Sequence, residues 1–323
     1  METVAPPAVA ARPRLHPAEF LLDVLRGVAQ VDFMPSPVTG LVFLVALAAA
    51  GWQYALYALV GCAVATATAH AFDVDRDTVS AGLRGFNGTL VALSFAVFLG
   101  AGHLSTFCLA VGGAVTVVFV TSALATILGT WNIPTLTAPF CITASVMTVA
   151  APSFARVWHS GPGLAALPQP ASDTTRLDWT QIWHGFLANF GQIFFMPQWY
   201  VGLIFLAGIL IASRTAAAMA CAGSAASLFV AWALGSPSRG IAEGLMGYNS
   251  VLVAMALCGV FLLPTAWSFG YALIGAAGAT ALTAAMTAFF TTFGGHTFTW
   301  PFVLTALAFV AAVPALPRLS RRP

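Results

Sequence analysis

The sequence contains no lysine at all. Its 12 basic residues are all arginine, and with 10 acidic residues the charged fraction reaches only 7%, while 59% of the 323 residues are hydrophobic. Soluble domains carry about 25% charged residues, and here the mean hydropathy is +0.90. So little charge cannot coat a water-facing surface, which excludes a soluble enzyme, a nucleic-acid binder and a disordered chain. The solvent is lipid. Cysteine is also sparse: Cys62, Cys108, Cys141, Cys221 and Cys258 stand singly in or near apolar runs, as packing residues do and disulfide or metal frameworks do not. There is no His-Glu-x-x-His, no Gly-x-Ser-x-Gly and no Walker A motif, so zinc-type intramembrane proteolysis and direct ATP coupling have no support. His70, His103 and His296 are isolated and read as structural histidines. No metal, cofactor, catalytic group or nucleic-acid partner is expected.

What charge there is clusters. Arg12, Arg14, Glu19, Asp23, Arg26 and Asp32 precede the first long apolar run, and Asp73, Asp75, Arg76, Asp77 and Arg84 punctuate one break. Arg156, Asp173, Arg176 and Asp178 mark a central polar segment, and Arg318, Arg321 and Arg322 end the chain. Between these lie apolar stretches of about 17–25 residues, the length a helix needs to cross a bilayer. An unpaired peptide group in lipid costs several kcal/mol, so the stretches are expected to be helices. They lack the alternation of a transmembrane barrel. Residues 1–15 are expected to be a disordered tail. Residues 16–32, with Phe20, Leu21, Leu22 and Leu25 against Asp23 and Arg26, read as an amphipathic helix lying at the membrane interface, not as a cleavable signal.

The chain is written twice. Gln30-Val-Asp-Phe33-Met34-Pro35 recurs as Gln192-Ile-Phe-Phe195-Met196-Pro197, an offset of 162. At the same offset Gly82-Leu83-Arg84-Gly85-Phe86-Asn87 matches Gly244-Leu245-Met246-Gly247-Tyr248-Asn249, and Thr135-Leu-Thr137-Ala-Pro139-Phe140 matches Thr297-Phe-Thr299-Trp-Pro301-Phe302. The reading is a tandem duplication of 16–160 and 178–317, joined by an extracytoplasmic linker at 161–177 and closed by a basic tail at 318–323. Spans are expected near 36–50, 54–71, 86–101 and 104–126, then from the Thr-x-Thr-x-Pro-Phe box. In the second half they fall near 196–212, 215–234, 248–264 and 267–290, then from the second box. Short Gly-flanked pieces at 78–85 and 238–247 interrupt each set. Five crossings per half would place the halves in opposite orientations. Arginine at both ends and at Arg214 favours both termini on the cytoplasmic side.

Three constellations stand out against this background. The two Thr-x-Thr-x-Pro-Phe boxes break helices at membrane depth, either as plain kinks or as carbonyls and hydroxyls lining a cavity. Gln30 and Gln192 each precede an aromatic residue, Phe33 and Phe195, by three positions, so amide and ring share a helical face. Such a pair suits a small flat polar molecule, although a core or lipid-facing ring reads the same way. Phe95 and Leu99, with mates Leu257 and Phe261, repeat an aromatic–aliphatic pair. Glu243 is the acid set deepest in the second half, and its mate is Ala81. An intramembrane carboxylate usually faces a pathway; the alternative is a carboxylate at the headgroup boundary, capping a short helix or pairing with Arg239.

These motifs, above all Gly85-Phe86-Asn87-Gly88-Thr89-Leu90, Gly247-Tyr248-Asn249-Ser250-Val251-Leu252 and Asn132-Ile-Pro134-Thr135-Leu-Thr137-Ala-Pro139-Phe140, resemble the urea transporter family over about residues 16–310. The resemblance implies an all-α polytopic membrane protein of about ten transmembrane helices plus two re-entrant pore helices, arranged as two inverted five-span repeats. It implies a homotrimer in the bacterial cytoplasmic (inner) membrane, and passive, channel-like conduction of urea or a related small neutral amide. Gln30, Gln192, Thr137, Thr299 and Glu243 would be polar lining, and Phe33, Phe95 and Phe195 would form aromatic slots. The sequence departs from the family pattern at His296, at Ala81, and at Leu257, where Phe261 would have to compensate. Urea is uncharged, so no charged ring is needed, and its four N–H donors call for hydroxyl and carbonyl acceptors. An ion- or proton-coupled carrier also uses duplicated broken helices, and short amides, water or ammonia are other candidate solutes. A membrane enzyme would need a nucleophile–base pair, which the sequence does not offer.

Overall fold

A computed structural model describes residues 16–159, 166–167 and 174–322. The tail at 1–15 and most of the linker at 161–177 lie outside the described residues. The described chain is helical, with one isolated antiparallel bridge between Leu262 and Arg321. In order come α1 (Pro17–Gln30), α2 (Pro37–Ala50), α3 (Trp52–Ala71), α4 (Arg76–Ser80), α5 (Phe86–Phe95), α6 (Leu104–Gly129) and α7 (Ala138–Ala150). Then follow α8 (Trp179–Gly191), α9 (Trp199–Ala212), α10 (Arg214–Ala233), α11 (Ser238–Ala242), α12 (Tyr248–Met255), α13 (Ala266–Thr291) and α14 (Trp300–Ala312). After α5 the chain runs on into a widened π-type turn, Ala96–Gly100, whereas after α12 it breaks at Cys258 (φ −139°, ψ 95°) and Gly259 (φ 116°).

Local chemistry sets many of these boundaries. Ser36 and Ser213 cap α2 and α10 by accepting from the N–H of Thr39 and Ala216, meeting donors a helix start would otherwise leave open. Asp178 with Gln181 and Thr265 with Ser268 form reciprocal capping boxes on α8 and α13. Prolines sit in the first turn of α1, α2, α7 and α14, where a missing N–H costs nothing. Asn132, Asp73 and Gly294 take left-handed backbone conformations in the loops between helices.

Each apolar run read from the sequence is occupied by a helix, yet among the described residues only α3, α6, α10 and α13 are long and apolar enough to cross a membrane unaided. At 1.5 Å per residue, the 26-residue α6 and α13 reach about 39 Å, more than the roughly 30 Å of hydrocarbon. The α8–α9 pair would add a span if continuous, but the chain turns by 73° between its two pieces. The remaining apolar helices are shorter.

Within residues 16–32, α1 packs one face into the bundle and leaves Leu21 and Leu22 exposed on the other. Val28 and Ala29 of α1 have 0% exposure, and α1 crosses α2 with backbones in contact: a Cβ on Gly40 would stand 1.9 Å from the Leu25 carbonyl oxygen. The same crossing recurs between α8 and α9, where a Cβ on Gly202 would stand 1.9 Å from the Leu187 oxygen. The amphipathic pattern was a buried face, directed at the bundle by small residues on the neighbouring helix. The Gly-flanked pieces 78–85 and 238–247 reduce to the single turns α4 and α11, each followed by a left-handed glycine, Gly82 and Gly244. Those glycines lie on the backbones of α1 and α8: their missing Cβ atoms would fall 2.6 Å from the carbonyl carbon of Arg26 and 2.5 Å from that of Ala188.

The two runs of helices meet along α2 and α9. The Thr39 hydroxyl donates to the Gly208 carbonyl at 3.1 Å, and Phe43 packs 4.8 Å from Phe205 and 5.5 Å from Phe194, ring centre to ring centre. All three rings are fully buried.

Candidate functional site

Two pairs of chain breaks come together, with Phe33 6.0 Å from Phe302 and Phe195 6.1 Å from Phe298, ring centre to ring centre. Phe33 and Phe195 end α1 and the helical turn after α8 in left-handed conformations, φ 64° and 63°. Leu136 (φ 51°) and Phe298 (φ 44°) do the same just before α7 and α14. A bulky side chain rarely adopts this region, and each instance costs roughly 1–3 kcal/mol, so the surroundings must hold it. Two buried asparagines supply the hold. Asn87 accepts from the Phe140 N–H at 3.3 Å and donates to the Leu136 carbonyl at 3.4 Å. Asn249 accepts from the Phe302 N–H at 3.2 Å and donates to the Thr283 hydroxyl at 3.2 Å, while the Tyr248 hydroxyl donates to the Phe298 carbonyl. The Gly-aromatic-Asn motifs thus clamp the Thr-x-Thr-x-Pro-Phe boxes.

Where the two boxes meet, the hydroxyls of Thr137 and Thr299 lie 2.6 Å apart, and the Cys141 sulfur is 3.2 Å from the Thr299 oxygen. All three side chains are buried. Thr137 also opens onto a cavity of about 460 Å³ lined by Gln30, Phe33, Arg84, Phe261 and Phe302 among others. A second cavity, about 580 Å³, is lined by Gln192, Phe195, Phe98, Tyr248, His296 and Phe298 among others. The rings meet edge to face: Phe33 with Phe261 at 6.0 Å and 86°, Phe195 with Phe98 at 5.6 Å and 70°. Phe98 additionally stacks on His296 at 3.9 Å.

The expected site residues divide accordingly. Gln30, Phe33 and Thr137 line the first cavity and Gln192 and Phe195 the second, while Thr299 lines neither and lies against Thr137. Phe95 reaches neither. It is 1% exposed and packs on α6, where a Cβ on Gly113 would fall 2.9 Å from its ring; Phe98, three residues on, takes the cavity wall. Glu243 directs its carboxylate to Arg239 at 2.8 Å, on side chains 38% and 79% exposed. Its backbone carbonyl, not its acid, serves the cavity, accepting from the Gln192 amide at 2.9 Å. Phe261 does not make up for Leu257 beside Phe195; it packs on Phe33 in the first cavity, and the ring against Phe195 is Phe98.

Asn87, Asn249, Arg84 and His296 were not singled out from sequence as site residues. The asparagines had a visible signal, since both recur at the 162-residue offset inside the quoted motifs. His296 and Arg84 had none, because their mates Pro134 and Met246 share no chemistry with them. Asp32 was read as one of the charges ahead of the membrane, but it is 0% exposed, with neither carboxylate oxygen partnered among the described residues. Among the same residues no three His, Cys, Asp or Glu side chains gather as metal ligands would.

Comparison with known proteins bears on this architecture. A family model described as urea transporter matches residues 21–314. Urea transporter 1 of Ovis aries is 30% identical over 312 residues, covering 94% of this chain and 80% of its own length. Urea transporter 1 of Mus musculus is 30% identical over 325 residues and that of Rattus norvegicus 29% over 313, with the same coverage of both chains. With the match running through both asparagine clamps, both threonine boxes and both cavities, the chain belongs to the urea transporter family.

Proposed function

We propose that this multi-pass membrane protein carries urea passively, and that its path runs through the first cavity, past the Thr137–Thr299 pair, into the second. The observation that carries this reading is the placement of one glutamine and one left-handed phenylalanine at each cavity, with the Thr137–Thr299 hydroxyl pair at the edge of the first. Urea offers N–H donors on a flat skeleton. Glutamine and threonine oxygens accept from the donors, ring faces and edges receive the plane, and no charged ring is needed for a neutral solute. The largely apolar walls offer too few polar groups to replace the hydration shell of an ion. At the junction the hydroxyls bond to each other, so a passing molecule exchanges that bond for bonds to itself. The protein is a transporter and not an enzyme.

The recurrence of 20-, 26- and 13-residue helices in the same order supports two repeats, about 16–160 and 178–317. We read them as inverted five-span units, with the short helices completing ten crossings and α1 and α8 as the re-entrant pore helices. The linker is then outside, and both termini lie on the cytoplasmic face of the cell's inner membrane, as the terminal arginines favour. Homotrimeric assembly is part of the same proposal.

Reconstitution tests it. Urea flux into proteoliposomes should persist when ionophores collapse every ion gradient. Flux that vanishes under those conditions would favour the ion- or proton-coupled carrier. A panel of urea, acetamide, formamide, water and ammonia should rank urea first.

A further inference from the structure

The terminal arginines enter the orientation argument as charges, yet Arg321 and Arg322 are folded back onto the bundle. Arg322 donates its N–H to the Phe261 carbonyl at 2.8 Å, and Leu263 donates to the Ser320 carbonyl at 3.0 Å. Ser320–Arg322 therefore lies antiparallel along the segment that follows α12, bridged at Leu262 and Arg321. Arg322 Nη1 donates to the Gly259 carbonyl at 2.7 Å. Arg321 reaches the other way, with Nη1 donating to the Asn132 carbonyl at 2.8 Å and Nη2 to the Val310 carbonyl at 2.9 Å. Neither arginine makes an ion pair among the described residues, so both guanidinium groups are spent on main-chain oxygens.

Those oxygens sit where helices end. Val310 lies in the last turn of α14 and Asn132 in the left-handed turn after α6, where main-chain acceptors run short of intrahelical donors and a cation is favoured. Gly259 lies in the break after α12. The first repeat closes the equivalent break from within: the Leu99 carbonyl, mate of Phe261, accepts from the Thr106 hydroxyl at 3.3 Å. In the second repeat Ser268, the mate of Thr106, donates its hydroxyl to the Leu263 carbonyl at 2.7 Å, and the donor for Phe261 comes from the tail. The segments joined in this way share one cavity. Val260 and Phe261 line the first cavity, and so do Ile133 and Pro134, directly after Asn132; the Phe261 ring meets Phe33 there. Resting on the conduction path proposed above, we infer that Arg321 and Arg322 are positioning residues. Together they clasp the Phe261 segment to the turn at Asn132, and so set how large a planar amide the first cavity admits.

The test reads the ratio of N-methylurea flux to urea flux in proteoliposomes. The native chain is compared with a chain ending at Leu319 and with the double variant Arg321→Lys, Arg322→Lys. Removing Ser320 onward should raise the ratio about threefold or more, the change that a contact loosened by roughly one hydrogen bond allows. Lysine keeps the terminal charge, but an ammonium cannot fork to separate carbonyls as a guanidinium does, so the double variant should rise by less. Phe261→Leu should raise the ratio in the native chain and add little in the shortened one, since non-additivity marks residues that act together. Phe98→Leu, in the second cavity, should shift both chains equally. A tail that merely anchors the fold would lower the unfolding midpoint in detergent and leave the ratio unmoved. Should the shortened chain not fold, the double lysine variant takes its place in every comparison. An unchanged ratio in every variant that folds, or a Phe261→Leu effect that simply adds, overturns the inference. A native chain that passes no urea overturns instead the reading on which it rests, so the two failures are distinct.

Discussion

Thr137 and Thr299 hold one another at 2.6 Å, each with little or no exposure, and that bond sets what their substitution should do. Thr137→Val and Thr299→Val each keep shape, remove one hydroxyl and leave the other without its partner. Each should reduce urea flux roughly two- to tenfold, the range that a net hydrogen bond of about 0.5–1.5 kcal/mol allows, measured by stopped-flow light scattering at matched protein density. Full flux in both variants would remove the threonines from the path. Asp32 invites the opposite experiment. Its mate Phe194 packs against Phe43 and Phe205, whereas Asp32 buries a carboxyl group with no partner among the described residues. Relieved of that desolvation, Asp32→Leu should be more stable by about 1–3 kcal/mol, seen as a raised unfolding midpoint in detergent. A lowered midpoint would mean that the carboxylate holds something the fold needs. Single residues were also where sequence reasoning was weakest. Gln30, Phe33, Thr137 and their mates were legible because duplication marks them twice. Phe95 and Glu243 were misplaced because one helical turn, or a nearby arginine, decides where such a side chain goes, and spacing alone does not reveal either.

At the scale of elements, the contacts that position the cavities are backbone against backbone. Gly40 and Gly202 stand where a Cβ would overlap a carbonyl of the preceding helix, and no rotamer change relieves a clash with backbone. Gly40→Ala and Gly202→Ala should therefore each push α1 from α2, or α8 from α9, and displace Phe33 or Phe195, which follow directly on the first helix of each pair. The expected outcome is a loss of stability exceeding the roughly 1–3 kcal/mol of ordinary overpacking, with flux falling alongside, read by size-exclusion profile and flux on the same preparations. Wild-type behaviour in both would mean that the crossings are looser than described. The helices themselves were legible, since apolar runs, caps and prolines give their ends. The burial of α1 was not. Its amphipathic face fits a membrane surface as well as a protein interior, and only the glycines of its neighbours, distant in sequence, tell the two apart.

For the whole molecule the question is whether the two runs of helices move against each other during transport. A carrier exposes its site alternately by rocking one half over the other. Here the seam between α2 and α9 is closed by the Thr39–Gly208 bond and by three interlocked, fully buried rings. Close-packed interfaces of this kind do not slide by small continuous steps. On the path proposed above, the solute passes the threonine pair, whose hydroxyls lie 2.6 Å apart, so that pair would have to part and the halves would not have to turn. A channel of this kind has no return step for an empty site. Efflux of labelled urea from preloaded proteoliposomes should therefore be unaffected by saturating unlabelled urea outside. In a rocking carrier, by contrast, a site that returns loaded can return faster than an empty one. Acceleration of several-fold would place the barrier in the seam between the halves, and a flat response places it in two hydroxyl groups.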